Sequence, residues 1–135
     1  MEQVGTGGRD LVEEMARRFA SGDRAGAAAL FHPGIRIEQP ASLPHGGRHE
    51  GPDGVARMGA ELARHWDRSI SNPRISGRAD WAVQVTEQRF TAKTTGRSVT
   101  MDVVELFAFS EGLISEIRVF PHDTHAMMGT LDPSS

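Results

Sequence analysis

The dominant hydrophobic period of this chain changes near residue 68, and that change fixes the order of most of its elements. Apart from a short alternating run at Ile35–Gln39, apolar side chains up to about residue 67 recur every three or four positions, and from Ser69 to Pro121 they alternate with polar ones. A period near 3.6 marks helices packed through one face, and a period of two marks strands. Helices followed by a run of strands describe an α+β domain whose helices cover one face of an antiparallel sheet. Asp10-Leu11-Val12-Glu13 has capping-box spacing, and Leu11, Val12, Met15 and Phe19 repeat at helical intervals until Gly22. Asp23 caps a second short helix through Ala25–Phe31, which His32-Pro33-Gly34 stops. Ile35–Gln39 alternates as a strand that Pro40 ends, and the Gly-rich residues after it form a loop. Pro52 opens a third helix with Val55, Met58, Leu62 and Trp66 on its apolar face, ending near Asp67. Strands are predicted near 70–77, 80–92, 97–109 and 113–121, with turns at Thr95-Gly96 and Glu111-Gly112. The tail from Asp123 adds one helical turn before Asp132–Ser135 frays.

A chain of 135 residues suits one domain, with its core between about residues 10 and 128. It has no cysteine, which excludes disulfides, thiol catalysis and thiolate metal sites. The net charge is −3 and no Lys/Arg tract occurs, so a nucleic-acid partner is not expected. Met1–Gly5 lacks the pattern of a leader and no apolar run could span a bilayer, so a cytoplasmic protein without membrane contact is expected. Of 15 Lys and Arg residues only Lys93 is lysine, a bias that suggests a GC-rich bacterial genome.

The last hairpin locates a candidate acid. With Glu111-Gly112 as a two-residue turn, Leu106 faces Ile117, Val104 faces Val119 and Ala108 faces Ser115, giving an apolar face. Glu105 then faces Arg118 and Phe107 faces Glu116 on the other side. Asp102 falls on the apolar face, where a carboxylate is costly unless hydrogen-bonded, coordinated or protonated. A purely structural Asp102, bonded to backbone or a neighbouring side chain, is the alternative.

Ile37-Glu38-Gln39-Pro40, the Gly46–Gly54 loop, Met101–Phe107 and Glu111-Gly112-Leu113-Ile114, in this order of helices and strands, resemble the nuclear transport factor 2-like superfamily. Within it the chain is similar to SnoaL-like polyketide cyclases and ketosteroid isomerases. The resemblance covers about Asp10 to Met128. It implies a cone of curved antiparallel sheet whose concave face, closed by the N-terminal helices, holds an apolar pocket, and it implies a homodimer through the open sheet face, for which the side carrying Met101, Phe107 and Phe109 is suited. Asp102 matches the isomerases' neutral, hydrogen-bond-donating aspartic acid, a system whose behaviour is established. The isomerases' general base falls on Gln39 and their tyrosine near Met15, so steroid isomerisation is not expected. The arginine and two aspartates of limonene-epoxide hydrolases fall near Thr86, Gln88 and Val119, so epoxide hydrolysis is not expected either.

The chain is therefore expected to be a cofactor-independent ring-forming cyclase or isomerase acting on an apolar, polyketide-like small molecule in bacterial natural-product biosynthesis, pyran formation included. The alternative is a non-catalytic binding or assembly module of the same fold. Asp102 is the expected acid, with Glu38 or His65 as proton partner. Strict alternation puts Ile35, Ile37 and Gln39 on one face and Arg36 with Glu38 on the other, so Glu38 reaches the pocket only if that trio faces elsewhere or the strand bulges. His65 lies at the edge of the third helix, toward either cavity or solvent. Gln39, Met15, Phe19, Phe31, Met58, Leu62, Trp66, Phe90, Val104, Leu106 and Val119 are the expected lining, with ordinary core packing as the alternative for the apolar ones. His45 and His49 lie in the Gly-rich loop, and His122, Asp123 and His125 lie near the tail. None of these groups offers a third ligand, so no metal is expected. The Gly-rich stretch lacks a Gly-Lys-Ser/Thr ending and is read as a loop at the pocket mouth rather than a nucleotide site.

Overall fold

A computed structural model describes residues 7–134; Met1–Gly5, read above for a leader, and Ser135 of the tail lie outside the described residues. The elements are α1 (Gly7–Ala20), α2 (Arg24–Ala28), β1 (Phe31–Gln39), β2 (Gly47–Glu50), α3 (Gly51–His65), β3 (Trp66–Gly77), β4 (Trp81–Ala92), β5 (Ser98–Ser110), β6 (Leu113–Pro121) and α4 (Thr124–Leu131). The strands form one curved sheet in the order β2-β1-β6-β5-β4-β3. Neighbours run antiparallel except β1 and β6, which run parallel. The α+β architecture expected from the sequence is present.

Local chemistry explains most boundaries. Gly22 has φ +83°, and around it Asp23 N–H reaches Arg18 O at 2.8 Å while Gly22 N–H reaches Phe19 O at 3.1 Å. These two bonds close α1 in a Schellman motif. Asp23 Oδ1 then accepts from Gly26 N–H at 2.8 Å and starts α2. Four boundaries differ from the sequence reading. His32-Pro33-Gly34, expected as a stop, lie inside β1, where the register breaks between Phe31 and Arg36 and leaves Pro33 unpaired. Gly47–Glu50, expected as loop, forms β2 against β1. Trp66 is not on a helix face: it caps α3 with an extended backbone and begins β3. The tail helix α4 has 8 residues rather than one turn.

The largest difference is one of parity. The turn is as expected, since Ser110 pairs Leu113 and Phe109 pairs Ile114, with Glu111 and Gly112 at φ +55° and +75°. The register then shifts, so that Ala108 pairs Glu116 and Ser115 is the extra residue of a bulge. Beyond it Phe107 pairs Ile117, Glu105 pairs Val119 and Val103 pairs Pro121. Ile114 and Ser115 are both buried, and the inward set becomes Met101, Val103, Glu105 and Phe107. A one-residue slip exchanges the two faces of a strand. Asp102, Val104 and Leu106 therefore lie on the outer face, and Glu105 and Phe107 on the inner face, the reverse of the expectation.

Two apolar clusters cover the inner face. One joins α1 to the sheet through Val12, Met15, Ile35, Ile37, Phe107, Ile114 and Ile117. The other joins α3 and α4 to it through Leu43, Leu62, Trp66, Phe90, Met101, Val103 and Met127. Trp66 Nε1–H donates to Thr130 Oγ1 at 2.8 Å, which holds α4 over the second cluster. Val119 packs against both clusters, and beside it the inner face turns polar.

Candidate functional site

The polar region begins with the pleat. On β4 the inward positions are Ala82, Gln84, Thr86, Gln88, Phe90 and Ala92, all buried, so three consecutive inward residues carry amides or a hydroxyl. Gln84 lies directly across from Glu105 on β5, and its Nε2–H donates to Glu105 Oε1 at 2.8 Å. Gln88 Nε2–H donates to Thr86 Oγ1 at 3.0 Å. Arg68, an accessible residue of the edge strand β3, turns its guanidinium to Gln88 Oε1 at 3.4 Å. These groups occupy positions that in an ordinary sheet would be core.

The remaining wall comes from the loop after β1. Leu43 N–H bonds to Pro40 O and Gly46 N–H to Leu43 O, which winds residues 40–46 into two tight turns. A Cβ at Gly46 would stand 2.3 Å from Pro40 O, so the second turn requires glycine. That turn sends the His45 ring inward, 3% exposed and edge-on to Trp66 with centroids 5.9 Å apart. His49 Nε2–H donates to His45 O at 2.9 Å and fixes the loop to β2.

Gln39, His45, Leu62, Arg68, Gln88, Phe90, Val103, Glu105, Val119, Pro121 and Met127 enclose a cavity of about 30 Å³. That is room for about two water molecules while the side chains stay in place. Two buried polar atoms at this layer have no hydrogen-bond partner, His45 Nδ1 and Gln84 Oε1. An unpaired buried polar atom costs about 1–3 kcal/mol, and of the two residues His45 lines the cavity.

Burial pushes the Glu105 carboxyl above the usual carboxylate range, against the downward pulls of the Gln84 hydrogen bond and the Arg68 charge. Burial, aided by the charge of Arg68 and by His49 and His65, lowers His45 to about 4. At neutral pH the site thus contains an uncharged imidazole beside a cation and a carboxyl group that burial makes less acidic than usual. A carboxyl tuned upward in a cleft is the arrangement of a general acid or base.

The expected site residues are only partly brought together. Gln39, Leu62, Phe90 and Val119 line the cavity. Of the positions the resemblance matched to catalytic ones, Gln88 also lines it, and Thr86 lies behind Gln88 and accepts its hydrogen bond. Asp102 lies outside, about half exposed and 3.5 Å from Arg74 Nη2, because the bulge reverses its face. Val104 and Leu106 share that outer face for the same reason. Glu38 is also outside, 3.4 Å from Arg118 beside it on β6, since alternation holds and Ile35 and Ile37 face the core. His65 is half-buried at the end of α3 and bonds to Glu61 at 3.2 Å. Met15 and Phe31 pack in the α1 cluster. Phe19 is 47% exposed, because it falls near the end of α1 beyond the reach of the sheet. Met58 meets Gln39 Nε2 through its sulfur at 3.6 Å, and Trp66 backs His45. Glu105, Arg68, Gln84 and the inward role of His45 were not anticipated. A hint lay in Gln84-x-Thr86-x-Gln88, a polar alternation with no charge in it, where a solvent face normally has some.

Among the described residues no group of three or more His, Asp or Glu could hold a metal ion, and no helix is long and apolar enough to cross a membrane. The sequence model of the SnoaL-like domain matches residues 12–117. An NTF2-like protein of Burkholderia pseudomallei, 24% identical, superposes with a TM-score of 0.80 over 90% of this chain and 95% of its own. One from Burkholderia xenovorans, 19% identical, gives 0.83 over 97% and 100%. A Xanthomonas campestris protein provisionally named a polyketide cyclase, 13% identical, gives 0.75 over 91% and 95%. At these identities the likeness shows the fold. No curated protein matches the chain.

Proposed function

Because the chain belongs to the SnoaL-like domain family of NTF2-like fold, we propose that it is a cofactor-independent cyclase or isomerase acting on a small, largely apolar, polyketide-like molecule. Its setting would be natural-product biosynthesis, antibiotics included, in a bacterial cytoplasm. The observation that carries this reading is Glu105, the one carboxylate among the described residues lining the cavity, held by Gln84 and made less acidic than an ordinary carboxyl by burial.

Glu105 can take a proton from a carbon next to a carbonyl group, leaving an enolate, and return it to another atom of the same molecule. Ring closure by carbon–carbon or carbon–oxygen bond formation uses the same two transfers. Gln84 orients the carboxyl through Oε1 and leaves Oε2 for the substrate. The walls of Leu62, Phe90, Val103 and Val119 exclude water, which strengthens the electrostatics inside. Asp102 and Glu38 have no access to this cavity, so the acid/base role is assigned to Glu105.

The test is deuterium wash-in from D₂O at the α-carbon of a panel of enolisable polyketide-like ketones, read by NMR. Glu105→Gln is expected to slow the exchange about 10²–10⁴-fold. Equal exchange with both proteins, or none beyond buffer with either, would reject the catalytic reading in favour of a binding module.

A homodimer is part of the same proposal. Trp81, Leu106 and Phe120 on the outer face are 44%, 37% and 43% exposed, and their register neighbours Val83, Val85 and Val104 are half-buried. The pairs Arg74–Asp102 and Arg118–Glu38 rim this patch. An apolar centre with a charged rim is the composition of a protein interface.

A further inference from the structure

The cavity of about 30 Å³ has room for about two waters, so the molecule proposed for it enters only when a wall moves. Most of the lining stands on β1, β4, β5 and β6, each paired on both sides within the sheet. Leu62 belongs to α3, which is joined to strands at both ends, and His45 to the loop that two turns and His49 hold. Met127 differs from these. It lines the cavity from α4, an 8-residue helix that follows β6 through residues 121–123 and is the last of the described elements.

The turn between β4 and β5 holds the C-terminal end of this helix. Arg97 Nη2–H donates to Gly129 O at 3.0 Å and Thr95 Oγ1–H to Thr130 O at 2.6 Å, while Arg97 N–H donates to Thr95 Oγ1 at 3.1 Å. Gly129 O and Thr130 O are among the carbonyls that a helix end leaves without an internal partner, and a guanidinium there also meets the negative end of the helix dipole. Thr95 and Arg97 are half-buried, so water can replace their bonds as they break. At the other end His122 N–H bonds to Asp102 O at 3.0 Å and keeps the start of α4 on β5. Between the two ends Met127, 1% exposed, is the apolar anchor, and its unbranched side chain can leave and re-enter a gap by bond rotation. We propose that α4 is a gate on the cavity: when the β4–β5 turn releases its C-terminal end, the helix swings about residues 121–123 and carries Met127 out of the wall. The use of the gate, to admit a molecule larger than two waters, rests on the reading under Proposed function, whereas its motion can be measured without a substrate.

The chain has no cysteine, so a single introduced thiol reports on a single position. Full-length Val103→Cys, in the cavity wall on β5, and Val12→Cys, in the cluster under α1, are labelled with methyl methanethiosulfonate. Urea unfolding of each variant gives the labelling rate that whole unfolding alone would allow. Val103→Cys is expected to react at least about a hundredfold faster than that limit, because a partial opening costs less than whole unfolding, and Val12→Cys at the limit. Adding Arg97→Gln to Val103→Cys is expected to speed its labelling about tenfold, the size of one charge-assisted hydrogen bond. Labelling of Val103→Cys at its unfolding limit would overturn the gate, as would an equal excess at both positions, which means a loosening of the whole fold. Fast labelling that Arg97→Gln changes less than about twofold would overturn it too, since the reagent then enters by another route. Should Val103→Cys fail to fold, Phe90→Cys on β4, 3% exposed in the same wall, takes its place. Labelling that depends on Arg97 without catalysed deuterium exchange would overturn only the catalytic reading, and exchange without such labelling would overturn only this one.

Discussion

His45 has exchanged solvation for shape. Folding places its ring among Trp66, Leu62 and Met127, and the protonated form is disfavoured down to about pH 4. The unfolded chain takes up that proton near the ordinary value of 6.5, so between the two values the unfolded state binds more protons and stability falls as the pH falls. The loss attributable to this ring is bounded by about 3 kcal/mol, from the width of that window and about 1.4 kcal/mol per pH unit. Urea midpoints measured from pH 7 to pH 4 are expected to drop more steeply for wild type than for His45→Gln, which has nothing to titrate; parallel curves would contradict the burial argument. Above pH 7 the two curves are expected to run level. The residue itself was visible in the sequence as part of a Gly-rich loop. Its direction was not, because that depends on Gly46 fitting against the Pro40 carbonyl, a contact between backbones that carries no hydrophobic signature.

At the scale of elements, the β5–β6 hairpin decides which carboxylate is inside. Asp102 and Glu105 sit three residues apart on one strand, hence on opposite faces, and each is flanked by apolar neighbours of its own parity. Alternation finds both faces and does not rank them. The ranking comes from Ser115, whose extra place in β6 moves Ile117 and Val119 opposite Phe107 and Glu105. Deleting Ser115 removes the bulge but leaves Ile114 opposite Phe109 and Glu116 opposite Ala108, so Ile117 and Val119 keep facing the core and Arg118 stays outside. The expected cost is therefore below about 1 kcal/mol, since no apolar burial is lost. Chemical denaturation checks it, and a loss above about 3 kcal/mol would show that the pairing beyond the bulge depends on Ser115 itself. The helix order, the strand order from residue 80 onward, the Glu111-Gly112 turn and the cap at Asp23 were legible because each has a local cause. The bulge, the short strand β2 and the parallel β1–β6 pairing were not, because each is settled by a partner distant in sequence. The polar wall Gln84-Thr86-Gln88 was hidden by a related ambiguity: Val83 and Val85 beside it make an equally good inner face on paper, and only packing against β5 chooses.

For the whole molecule, the same reversal of faces relocates the surface proposed above for a second copy. Met101 and Phe107, suited by sequence to the outside, are buried, and the exposed patch is built instead from Trp81, Leu106 and Phe120. Leu106→Lys places a charge at the middle of that patch and is expected to convert a dimer to a monomer in sedimentation equilibrium, with deuterium exchange retained if each cavity works alone. An unchanged mass would reject this face as the contact. The sheet order carries one more consequence. β6 is sixth along the chain but third across the sheet, and it separates β1 from β5. A nascent chain leaving the ribosome can pair β3, β4 and β5 as they emerge, whereas the hairpin of β1 and β2 has to wait for residues 113–121 before it joins them. At roughly 5–20 residues per second that interval lasts several seconds. During it Ile35 and Ile37 have no sheet to rest on, so the opening third of the polypeptide is the part most in need of a chaperone's shelter.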